Sequence, residues 1–154
     1  PESARMAMDQ NMGAMYPFSL AQKLQKITEN HPYYSDDNPW GRAVIPLEMI
    51  SVLTQYTSGH TGYRTKGPAI GLFAGQEIKM IDGPLFVDHP YKLEREIIAL
   101  SESRRTESNW IMTRVIDAET DTLCAEVILN SATLKDSYAN YEADAKTLGK
   151  DLSA

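Results

Sequence analysis

The sequence predicts an α+β domain in which a strongly curved antiparallel sheet wraps one buried helix. Three observations carry this. Residues 46–57 place Leu47, Met49, Ile50, Val52, Leu53 and Tyr56 on nearly all sides of a helix, so that helix is expected inside the domain. From residue 68 onward the apolar pattern changes to alternation and β-branched runs, which read as strands. The order of short helix, loop, buried helix and then about four long strands leaves the sheet to curve around the helix.

Each element has a local reason. Residues 1–15 carry four methionines and little periodicity, and read as an N-terminal arm. Ser19, with Gln22 three positions on, forms a capping box that opens a short helix striped by Leu20, Leu24 and Ile27. Asn30-His31-Pro32 ends it, because the residue before proline resists the helical region. Residues 32–46 are dense in turn formers, with Tyr33, Tyr34 and Trp40 among them; so aromatic a loop is pinned to a core or lines a pocket. Pro46 suits the first turn of the buried helix, and Ser58-Gly59 and Gly62 end it. Strands are expected over Ala69–Met80, Tyr91–Ser101, Ser108–Asp117 and Leu123–Leu134. Ser103–Ser108 reads as a polar turn and Asp117–Thr122 as a hairpin loop. Residues 136–154 read as a polar tail with weak helical character, leaving 16–135 as the domain proper.

Composition sets outer bounds. A chain of 154 residues buries about two-thirds of its surface, enough for one core. It is 42% hydrophobic and 23% charged, as globular proteins are. A net charge of −6 without a long basic stripe argues against nucleic acid as the main partner. Arg104-Arg105, the one adjacent basic pair, reads as a solvated turn. No apolar run approaches a membrane span, and no signal peptide is expected from the first thirty residues. The start at Pro1 rather than Met leaves a processed or trimmed terminus open. Cys124 stands alone in an apolar run, which predicts a buried, inert thiol and a reducing, cytoplasmic setting. Gly71-x-x-x-Gly75 lacks the lysine and following helix of a phosphate loop.

A sheet curled around one helix is the hot-dog arrangement; another α+β cone is the runner-up. Within it, Asp36-Asp37-Asn38-Pro39-Trp40 resembles the Asp-x-Asn-Pro-x-His segment of MaoC-like hot-dog acyl hydratases and dehydratases. The resemblance extends over about residues 16 to 135, with a short helix before the motif, a buried helix after it, and then the strands. It implies addition of water to a 2-enoyl thioester, or its removal. Asp36 then takes the place of the catalytic carboxylate, Asn38 and Pro39 hold the loop, and a backbone N–H at the start of the buried helix polarises the thioester carbonyl. Candidate substrate-binding residues are Tyr34, Trp40, Leu47, Gly71 and Phe73. Core packing is the competing role for Phe73 and Leu72, and close approach or a bulge the reading for the strand glycines.

The segment departs from the family in two places. Gly41 stands where the motif histidine belongs, and Leu47-Glu48 where a His-Gly pair opens the buried helix. His31, His60 and His89 are the imidazoles that could replace the missing one; each is read first as a surface or capping group, and they are too scattered for a metal cluster. Glu48 reads as a dipole-stabilising carboxylate or, as in hot-dog thioesterases, as the group that activates water on the central helix. Three functions follow: an enoyl-thioester hydratase or dehydratase using Asp36, a non-catalytic acyl-binding subunit beside a catalytic hot-dog partner, and a thioesterase using Glu48. The expected ligand is an acyl-CoA or acyl-carrier-protein thioester. No metal or cofactor is expected, and a homodimer or a heterodimer with another hot-dog domain is.

Overall fold

The computed structural model describes residues 2–13, 16–27, 30–55 and 67–150. They form one antiparallel sheet of five strands: β1 (Glu2–Ala4), β2 (Gly71–Met80), β3 (Tyr91–Glu102), β4 (Thr106–Asp117) and β5 (Leu123–Leu134), in the order β1-β3-β4-β5-β2. Three helices accompany it: α1 (Leu20–Leu24), α2 (Leu47–Gln55) and α3 (Tyr141–Thr147).

Register explains the core. Leu93 pairs with Val115, Val115 with Ala125, and Ala125 with Met80, while Thr113 pairs with Val127 and Val127 with Ile78. These rows put Leu93, Val115, Ala125 and Val127 on one buried face, and α2 lays Met49, Ile50, Val52 and Leu53 into the same cluster. A nine-residue helix is marginal alone. Four buried side chains at roughly 1.5–3 kcal/mol each are what hold it. At the far end of α2, the Arg95 guanidinium of β3 donates to the Thr54 carbonyl at 2.6 Å, satisfying an end-of-helix acceptor.

The sheet and helix are as the sequence predicts, and β5 has the expected bounds. The capping box at Ser19 and Gln22 is present, but α1 stops at Leu24. The expected end of α2 at Thr57 to Gly62, and His60 with it, lie outside the described residues. The all-round burial of α2 is corrected at its first turn: Leu47 is 60% exposed, and Glu48 is exposed and ion-paired with Lys23. The expected arm is corrected too. Glu2–Ala4 adds β1 to the start of β3, and Ala4, Met6 and Met12 are buried in the core. The expected tail includes α3, which buries Ala145, and Lys150 bridges to Glu102 and Glu107 on β3 and β4. Between Phe73 and Gly75 the β2–β5 register shifts, the irregularity that a strand glycine permits. Cys124 is buried, and burial pushes its thiol pKa up, as expected of an inert cysteine. No described helix is long and apolar enough to cross a membrane.

Candidate functional site

The loop between α1 and α2 is held by its own side chains. His31 is extended before Pro32, and its Nδ1 accepts the Tyr33 N–H at 3.2 Å. The Asn38 amide donates to the carbonyls of Ser35 at 2.7 Å and Arg42 at 2.8 Å, and its Oδ1 accepts the Trp40 N–H at 2.9 Å. Gly41 takes φ +61°, a left-handed turn that a histidine adopts only with strain. Three main-chain bonds then tie the loop's end to neighbouring chain: Val44 N–H to Tyr33 O, Ile45 N–H to Leu85 O and Val87 N–H to Ala43 O. Tyr33 meets Trp40 edge-on, and Trp40 meets Phe86.

That tie creates a cleft lined by Met8, Asp36, Gly41, Arg42, Val87 and His89, with Ala43 and Asp88 completing it. The Asp36 carboxylate is exposed and has no hydrogen bond among the described residues. His89 is buried: its Nε2 lies 2.7 Å from Asp117 Oδ2 at the end of β4, and its Nδ1 lies 3.4 Å from the Arg42 guanidinium. Arginine can only donate, so Nδ1 accepts and Nε2 carries the proton given to Asp117. Arg42 is itself fixed over the Phe86 ring at 3.8 Å. Burial pushes the Asp117 pKa up, but the amides of Thr120 and Glu119 and the His89 ring outweigh it, and the carboxyl titrates below its ordinary value. Behind His89 stands Tyr91, ring centroids 5.0 Å apart, whose hydroxyl accepts the Phe86 N–H at 2.7 Å. Ligand atoms of His89, Asp117 and Glu119 lie within 4.8 Å of one another. The His89–Asp117 hydrogen bond accounts for the closest of these contacts.

The other candidates lie elsewhere. Tyr34 lines a second cleft with Leu24, Ile27, His31 and Asp37. Trp40 is half exposed in the aromatic row. Glu48 is ion-paired with Lys23 at 3.0 Å on the surface. Leu47 is exposed at the start of α2, and Gly71 and Phe73 are exposed on the edge strand β2. The structure thus brings Asp36 together with Arg42 and His89, and brings none of Glu48, Leu47, Gly71 or Phe73 into that cleft. Sequence reasoning missed Arg42 and Asp117. It weighed His89 only as a loop histidine, with no local signal to join it to a residue 28 positions away.

No protein-family model matches the sequence, and no curated protein matches it. Solved structures do match. The C-terminally truncated HadBC (3R-hydroxyacyl-ACP dehydratase) complex from Mycobacterium tuberculosis aligns with TM-score 0.64 and 12% identity, over 86% of this chain and 90% of that one. An (R)-hydratase from A. caviae involved in PHA biosynthesis aligns with TM-score 0.56 and 17% identity, over 84% and 89%. The ChsH1-ChsH2 complex from Mycobacterium tuberculosis aligns with TM-score 0.54 and 18% identity, over 87% and 82%. With its curled antiparallel sheet around α2, this chain has the hot-dog fold that these hydratase and dehydratase structures share.

Proposed function

We propose that the protein is a hydratase or dehydratase acting on a 2-enoyl or 3-hydroxyacyl thioester carried by coenzyme A or an acyl carrier protein. The observation that carries this is Asp36. It sits at the acidic position of the motif, in a loop pinned by Asn38, with a carboxylate that has no hydrogen bond among the described residues and borders a cleft. A carboxylate so placed accepts a proton from water as the oxygen bonds to the β-carbon; in reverse, the protonated acid gives its proton to the departing hydroxide. Burial of the lone thiol of Cys124 suits a reducing, cytoplasmic setting.

Gly41 favours a second reading, in which the chain binds an acyl group beside a catalytic hot-dog partner. Two of the similar structures are complexes, which fits that reading. A turnover screen with crotonyl and longer enoyl thioesters, following hydration and free-thiol release together, separates these. Hydration supports the enzyme; thiol release points to hydrolysis. Absence of both, with thioester binding seen by calorimetry, supports the non-catalytic subunit.

A further inference from the structure

We infer that His89, held by Asp117, is the second proton-transfer group of the Asp36 cleft and does the work for which position 41 has no side chain. The inference rests on the hydratase reading and deepens it. Gly41 and His89 line the same cleft, so an imidazole is present there although it comes from a different part of the chain. Its geometry suits proton transfer. Asp117 Oδ2 accepts a hydrogen bond from Nε2–H at 2.7 Å, which fixes the tautomer and the ring's orientation. Nδ1 is left with one long contact, at 3.4 Å, to Arg42, itself a wall of the cleft.

In dehydration, neutral Nδ1 removes the α-proton. The C–H electrons form the double bond, and hydroxide leaves the β-carbon with the proton of Asp36, as water. In hydration, Asp36 takes a proton from water as its oxygen bonds to the β-carbon, and the His89 imidazolium returns a proton to the α-carbon. Four groups besides the Tyr91 ring surround the imidazole. They are Asp117 at Nε2, Arg42 at Nδ1, and Asp36 and Asp88 in the lining of the same cleft. Hydration uses the imidazolium and dehydration the neutral ring, so raising the pH slows the first and quickens the second.

The test uses the full chain and crotonyl thioester. His89→Gln should lower kcat for hydration at least ~100-fold and abolish the alkaline decline in rate. Asp117→Asn is the positioning variant. Its Oδ1 still accepts the Glu119 and Thr120 amides, but its NH₂ must donate to Nε2, which moves the imidazole proton to Nδ1. It should lower kcat more than it changes KM and shift the alkaline limb. Thermal melts of both variants show whether each is folded. If His89→Gln does not fold, Asp117→Asn decides alone: an unaltered pH profile overturns the inference. If both are folded and keep the unmutated rate and profile, the inference fails and the hydratase reading stands. If the unmutated chain hydrates no enoyl thioester, the hydratase reading fails and takes the inference with it.

Discussion

Asp36 and Tyr91 show what single residues do here, and both give measurable expectations. The Asp36 carboxylate makes no hydrogen bond among the described residues, so Asp36→Asn should reduce hydration at least ~100-fold while moving the melting temperature little. A lowered melting temperature with intact turnover would mean that the carboxylate only serves the loop. Tyr91 is 1% exposed, and burial pushes its hydroxyl pKa up to about 12. A raised pKa means that the folded state holds its proton more tightly than the unfolded one. The contribution is therefore full below the ordinary tyrosine pKa near 10 and is lost as pH rises from there through about 12. Two units correspond to about 3 kcal/mol. Urea midpoints of the unmutated chain should fall more steeply across that window than those of Tyr91→Phe. At this scale the sequence was half legible. Asp36 could be named because a short motif surrounds it. Arg42, His89 and Asp117 could not be joined, because a fold contact between positions 42, 89 and 117 leaves no trace in local spacing.

The elements were more legible where periodicity operates. Alternation marks a strand over many residues, so β2 to β5 were found nearly whole. β1 has three residues, too few for any period to show, and it is a strand only because Tyr91–Leu93 offers it an edge. Its neighbours Met6 and Met12 are core residues for the same reason: the fold, not the segment, supplies their contacts. The loop before α2 is a third kind of element, ordered by side-chain bonds to its backbone. Asn38 supplies two strong donors and one acceptor there. Asn38→Ala strands these groups and should cost about 2 kcal/mol in a loop of this kind. For a domain of this size that lowers the melting temperature by roughly 4–8 °C. Calorimetry checks this; an unchanged melt would show that the backbone bonds from Val44, Ile45 and Val87 suffice to hold the loop.

At the scale of the whole molecule, the sheet is unfinished on the β1 side. β1 covers only Tyr91–Leu93, so residues 94–102 of β3, paired with β4 on one side, have no strand on the other side among the described residues. That open edge bears Ile97, Ile98 and Leu100, the last 75% exposed. A long exposed edge with apolar side chains invites pairing with another chain. A two-fold arrangement in which two β3 edges meet would extend the sheet antiparallel across the axis and cover these residues in both copies. A second hot-dog domain of different sequence could dock in the same way. We therefore expect the purified chain to be a dimer whose interface exceeds ~1,000 Å² of buried surface. Leu100→Lys places a charge at that edge without touching the buried cluster around Leu93 and Val115, so it should give a folded monomer. Light scattering at micromolar concentration reads both states. An unmutated chain that scatters as a monomer would remove the homodimer, and would direct the search to a co-purifying hot-dog partner.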